Sequence, residues 1–186
     1  MKRLFLALPL TDDAKAELEA AQAALSTSLP GAKWVSPDGM HLTLKFLGPV
    51  KYDLIEEGIV EAAQKAVKKL KIYKLSLNGL GAFPSDRRPR VVWARVADGG
   101  ESERLAGLLD EALRPLGFPT EGREFTPHIT LARLKTPIIL DNPEIFNQLG
   151  KAVRRLEIPA EAVTLYESIL SREGTKYFAL AEFPLA

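Results

Sequence analysis

The sequence predicts an internally duplicated two-lobe α+β fold, and three observations carry the prediction. Apolar residues recur at helical spacing in four segments, with strand-like runs between them. The tetrapeptide His-apolar-Thr-Leu occurs twice, as His41-Leu42-Thr43-Leu44 and His128-Ile129-Thr130-Leu131, and takes up both histidines of the chain. The copies stand nearly half of the 186 residues apart. No low-complexity linker divides the halves, so they are expected to pack as one bilobal domain over residues 1–186.

The first strand is the apolar run Leu4-Phe5-Leu6-Ala7-Leu8-Pro9-Leu10. Lys2 and Arg3 before it imitate a secretory leader, but Asp12 and Asp13 follow where a small-residue cleavage site belongs, so a buried strand is expected. Thr11 caps a helix with both aspartates in its first turn and Ala14, Leu18, Ala21 and Leu25 inward; Pro30 and Gly31 stop it. Lys33 to Leu47 reads as extended chain with a turn at Pro37-Asp38-Gly39, which places His41 at a strand start, and Gly48-Pro49 ends that strand. The spacing of Ile55, Ile59, Ala62, Ala66 and Leu70 predicts a second helix over 53–69. Strands over 72–80 and 90–97 flank a loop from Pro84 to Pro89. Asp98-Gly99-Gly100 opens a third helix carrying Leu105, Leu108, Leu109, Ala112 and Leu116, closed by Gly117 and Pro119. After the second motif strand, Asn142-Pro143 caps a short helix through Ile145, Phe146, Leu149 and Val153, and strands over 162–170 and 176–183 close the chain.

Composition narrows the classes of function. A hydrophobic share of 46% supports a packed soluble core, and a net charge of +1 gives no general attraction for polyanions. Long duplex nucleic acid is therefore not an expected ligand; any such contact must be local. The chain has no cysteine, which removes disulfide and thiol chemistry and fits a reducing cytoplasm. No apolar stretch is long enough to span a membrane. Gly79-Leu80-Gly81 lacks the third glycine of a dinucleotide motif, and there is no phosphate loop or nucleophile elbow, so no nucleotide cofactor is expected. Neither histidine has clustered acidic or sulfur ligands beside it, so no metal is expected either.

In a strand, His41 and Thr43 project to one face while Leu42 and Leu44 anchor the other, and the second motif repeats the arrangement. A lone strand histidine is more often a hydrogen-bonded structural residue than a catalyst. The duplication favours a symmetric acid/base site instead. Lys45 falls on the same face as His41, where it is read as a screen for phosphate charge or as a solvated rim residue. Arg87, Arg88 and Arg90 form a local basic cluster, read as phosphate-contacting residues or as solubilising surface.

With these motifs the chain resembles the 2H phosphoesterase superfamily, and within it the RNA 2′,3′-cyclic phosphodiesterases, also called 2′-5′ RNA ligases. The resemblance runs through Arg3-Leu-Phe-Leu-Ala-Leu-Pro9, Lys33-Trp-Val-Ser36, Phe46-Leu-Gly48 and Gly79-Leu-Gly-Ala-Phe-Pro84. It continues through Arg88-Pro-Arg-Val-Val-Trp93, Phe125-Thr-Pro-His-Ile-Thr-Leu-Ala-Arg133 and Val163-Thr-Leu-Tyr-Glu-Ser168. It implies two pseudo-symmetric lobes, each an antiparallel sheet backed by two helices, with a groove between the sheets. It further implies that His128 activates water, that His41 protonates the 3′ oxygen to leave a 2′-phosphate, and that Thr43 and Thr130 hold the nonbridging oxygens. Phe46 is implied near the nucleobase and Arg133 near the phosphate. Each lies five positions after its histidine, so strict alternation puts both on the wrong face and a bulge has to intervene.

The expected activity is metal-independent hydrolysis of RNA 2′,3′-cyclic phosphate ends, tRNA halves among them, by a cytoplasmic monomer, with weak ATP-independent 2′-5′ ligation. The alternatives are a 2H phosphodiesterase acting on a small cyclic nucleotide or a 2′-5′ oligonucleotide, and a noncatalytic RNA-end binder.

Overall fold

The computed structural model describes residues 1–122, 124–136, 138–171 and 174–186. The first strand, β1 (Lys2–Pro9), leads into α1 (Asp12–Ser26), whose N-cap Thr11 accepts the Ala14 N–H. Ala14, Leu18, Ala21 and Leu25 are buried as the spacing predicts, and Gln22 is buried with them. The short β2 (Lys33–Trp34) and a 3-10 turn at Pro37–Gly39 precede β3 (His41–Val50). A π-helical stretch (Ile55–Val60) runs into α2 (Glu61–Val67). The wider π turn holds more residues than an α turn. Its buried stripe therefore runs Ile55, Ile59, Ala63, Val67, in place of the predicted Ala62 and Ala66, which are only partly covered.

The hairpin of β4 (Tyr73–Ser85) and β5 (Arg88–Ala97) extends further than expected, and the predicted Pro84–Pro89 loop shrinks to a tight turn in which Asp86 Oδ1 accepts the Ala82 N–H. After α3 (Glu101–Leu113) come β6 (His128–Arg133), α4 (Ile145–Ala152), β7 (Glu157–Ala160), β8 (Ala162–Ser171) and β9 (Gly174–Pro184). The predicted cap at Asn142-Pro143 forms a turn, and α4 begins at Ile145.

The strands lie in the order β7-β4-β5-β6-β3-β1-β8-β9, all antiparallel, with β2 on β6. Between the two halves of this curled sheet β3 and β6 share one pair, Leu42 opposite Ile129. Each half is backed by two helices on one side: α2 and α3 meet each other and the β3 and β9 half, and α1 and α4 meet each other and the β4 and β6 half. Gly150 permits the closest approach, since a Cβ there would lie 2.8 Å from the Leu80 nitrogen. One contiguous cluster of buried side chains, from Leu4 to Leu185, fills the space between sheet and helices. The opposite face of the sheet at the β3–β6 junction is where the two motifs meet.

Candidate active site

Leu42 and Ile129, the residues after the two histidines, pair across the junction of the halves. Continuing that antiparallel register sets His41 across from Thr130 and Thr43 across from His128, all four on one face. They are half-buried, whereas Leu42 and Ile129 are fully buried on the helix side. No hydrogen bond ties either threonine hydroxyl to another protein group among the described residues. The tetrapeptide repeat in the sequence thus becomes a pseudo-twofold quartet of two imidazoles and two hydroxyls.

The last residue of each tetrapeptide is a bulge. Against β1, Thr43 pairs with Ala7 and Lys45 with Leu6, leaving Leu44 without a partner. Against β5, Thr130 pairs with Trp93 and Ala132 with Val92, leaving Leu131 without one. One extra residue reverses the alternation beyond it. Phe46 therefore returns to the face of His41, 59% exposed and 6.1 Å from the Phe5 ring. Arg133 likewise lies close enough to His41, His128 and Tyr177 for its charge to act on all three.

The same reversal overturns the reading of Lys45. It does not share the face of His41 but is buried on the helix side, 3% exposed, with Nζ 2.6 Å from Asp110 Oδ1 and donating to the Pro119 carbonyl. Lys45 is therefore not in contact distance of a ligand on the groove face. Arg87 and Arg88 lie at the distal turn of the β4–β5 hairpin, five residues or more from Trp93, about 16 Å along the strand.

Each imidazole is braced by the carbonyl of the residue two before it. His128 Nδ1 lies 2.7 Å from the Thr126 carbonyl, which fixes the proton on Nδ1 and leaves the Nε2 lone pair free. A backbone hydrogen bond from His41 to Gly39 favours its protonated form in the same way. Aromatic rings surround both. Phe5 stacks on His41 at 4.7 Å, Tyr177 meets it edge-on at 5.1 Å, and Tyr166 lies at 6.2 Å. Phe83 and Trp93 meet His128 edge-on at 5.4 and 6.3 Å. Gly81 makes room for the indole, because a Cβ there would lie 2.8 Å from Trp93.

This packing sets the proton affinities. Burial drives the His41 imidazole down to about 4, and the charges of Arg133 and His128 push the same way. His128 is lowered too, again first by burial and then by Arg133. Both shifts favour the neutral imidazole in the free protein. An anion placed beside Arg133 cancels its charge and draws a proton onto a neighbouring imidazole. The arrangement is suited to an anionic substrate that recruits its own general acid. Among the described residues no three His, Asp or Glu side chains cluster as metal ligands.

Sequence reasoning did not single out Phe5, Phe83, Trp93, Tyr166 or Tyr177. Phe5 sits in an unbroken apolar run, which hides the face it takes. Tyr177 is brought to His41 by a strand from the far end of the chain, and no local signal marks it.

The model of the 2′-5′ RNA ligase superfamily matches residues 10–171. A protein of Archaeoglobus fulgidus named RNA 2′,3′-cyclic phosphodiesterase is 34% identical over 186 residues, covering 97% of this chain and 99% of its own length. One of the same name from Geobacillus stearothermophilus is also 34% identical over 187 residues; the chain is fully covered but spans only 58% of that relative. Among solved structures, TT0787 of Thermus thermophilus superposes with a TM-score of 0.81 at 30% identity, covering 98% of this chain and 97% of the other. Escherichia coli LigT complexed with 3′-AMP gives a TM-score of 0.74 at 25% identity, covering 100% and 98%.

Proposed function

Because the chain belongs to the 2′-5′ RNA ligase superfamily, we propose that it is a metal-independent RNA 2′,3′-cyclic phosphodiesterase acting as one bilobal, monomeric domain. The observation that carries this reading is the quartet of His41, Thr43, His128 and Thr130 on one face, with Arg133 swung onto it by the Leu131 bulge. Relatives named for this activity support RNA ends bearing a cyclic phosphate as the substrate; tRNA halves are the proposed physiological source of such ends.

Opening the ring requires one group to take a proton from water and another to give one to the departing 3′ oxygen. His128, with Nδ1 committed to the Thr126 carbonyl, presents Nε2 as the base. His41 is the acid. The phosphate, by cancelling the charge of Arg133, lets His41 take up the proton that it then donates. Thr43 and Thr130 donate to the nonbridging oxygens, where charge gathers in the transition state. The product is a 2′-phosphate, and solvent returns the proton from His128 to His41 between turnovers. Phe46 supplies a face for the terminal nucleobase. A 5′-hydroxyl in place of water gives a 2′-5′ linkage without ATP, because the strained cyclic phosphate supplies the driving force. A chain without cysteine suits the cytoplasm.

Turnover of an oligonucleotide ending in a 2′,3′-cyclic phosphate, with the product position assigned, tests the proposal. His41→Ala and His128→Ala are each expected to lower the rate by about a hundredfold or more. Inhibition by a chelator that a divalent metal reverses, or a 3′-phosphate product, overturns it.

A further inference from the structure

On the groove face of the second half stands a cation with no acidic partner among the described residues, Arg95. It is the cross-strand partner of His128 in the β5–β6 ladder and shares a face of β5 with Trp93, two residues earlier. Its guanidinium carbon lies 5.5 Å from the Trp93 ring centroid, and Trp93, only 6% exposed, packs in turn against His128. Stacking on a fixed indole orients the guanidinium and leaves its hydrogen-bonding edge open for an anion. Arg95 itself is exposed.

In-line displacement at phosphorus puts the attacking and leaving oxygens on opposite sides, so the base and the acid stand on opposite sides as well. If His128 is the base, the nucleophile enters on its side. The ribose departs toward His41, where Phe5, Phe46, Tyr166 and Tyr177 gather. Arg95 belongs to the entering side.

We propose that Arg95, held by Trp93, binds the first internucleotide phosphate of an incoming RNA strand whose 5′-hydroxyl takes the place of water. This rests on the phosphodiesterase reading above. His128 takes the proton of the 5′-hydroxyl, a bond forms between the 5′ oxygen and phosphorus, the bond from phosphorus to the 3′ oxygen breaks, and His41 gives that oxygen a proton. The product is a 2′-5′ phosphodiester and no further reactant is needed. Holding the strand by its phosphate raises the local concentration of its hydroxyl against water.

The test is an NMR titration of the whole chain, reading the His41 ring and the Trp93 indole N–H separately. Nucleoside 2′-monophosphate is added first, to occupy the phosphate site, and a 5′-hydroxyl dinucleoside monophosphate second. The dinucleotide is expected to shift the Trp93 signal and to bind at least fivefold more tightly than the nucleoside that lacks its phosphate. Arg95→Gln is expected to erase that advantage and Arg95→Lys to keep part of it. Equal binding of dinucleotide and nucleoside to the unaltered protein, or equal weakening of both by Arg95→Gln, overturns the proposal. A second arm replaces the first ligand with a dinucleotide ending in a 2′-phosphate. If Arg95→Gln weakens that ligand instead, the bound phosphate belongs to the substrate strand and the assignment to an incoming strand fails. If the 2′-monophosphate leaves His41 unmoved while the dinucleotide still shifts Trp93, the phosphodiesterase reading fails and the phosphate subsite stands.

Discussion

The side-chain amide of Gln22 donates to the carbonyl of Leu131 at 2.9 Å, reaching from α1 to the bulge 109 residues further along the chain. The bulge withdraws that carbonyl from the β5 ladder, and the Val35 N–H is its other donor, at 2.9 Å. Gln22 also donates to the Val35 carbonyl at 2.8 Å. One nearly buried amide thereby holds both the bulge and the segment that braces it, and the bulge is what turns Arg133 toward the histidines.

Gln22→Leu is expected to cost about 1–2 kcal/mol of stability, since two buried carbonyls each lose a donor. It is also expected to weaken substrate binding by loosening Arg133. Urea unfolding reads the first effect. NMR titration of the histidines reads the second, because retreat of the Arg133 charge lets both imidazoles take up protons at higher pH. Unchanged histidine titrations in a destabilised variant would confine Gln22 to a purely structural role.

The free protein is expected to show His41 titrating near 4 and His128 below its ordinary 6.5. Adding a nucleotide phosphate raises both, and Arg133→Gln raises both without any ligand. The rate follows a bell in pH whose two apparent values belong to the coupled pair. A rate rising steadily into alkaline pH would point to a single base.

Acid should destabilise the fold through His41. Its folded proton affinity is depressed, so between pH 6.5 and about 4 the unfolded chain binds a proton that the native site refuses, and stability falls as pH falls through that window. The loss reaches up to about 3 kcal/mol, less what the half-exposed edge of the ring screens. Comparing unfolding free energies at pH 7.5 and 4.5 for the unaltered protein and His41→Gln checks it, the variant losing less.

Lys45 acts on stability rather than on substrate. Lys45→Met leaves the Asp110 carboxylate buried without its cation and is expected to cost about 3–5 kcal/mol, whereas Lys45→Met with Asp110→Leu recovers most of that. KM of the folded double variant stays within about threefold of the unaltered protein, since neither side chain lies on the groove face. A large KM increase would return Lys45 to the site.

The duplicated tetrapeptide determined by itself that each of two strands carries an imidazole and a hydroxyl on one face, because strand alternation is local and period two; the pairing of Leu42 with Ile129 brought those two faces together. Helical spacing and caps likewise marked α1, α3 and most of α2. The sequence carried a warning too, since Phe46 and Arg133 could reach the groove only through an irregular strand. Only the tertiary structure decided where that irregularity falls. A bulge exists when the opposite strand skips a residue and another group takes the freed carbonyl, and at Leu131 those groups are Trp93, Val35 and Gln22, from three distant segments. The fate of Lys45 followed from the matching bulge at Leu44, which turned a charge read as facing the groove into half of a buried ion pair. The aromatic walls around the histidines were equally out of reach, because Tyr177 and Phe5 become neighbours only when β8 pairs with both β1 and β9. Local periodicity fixes what each strand offers; the pairing of strands far apart in the chain fixes where it points.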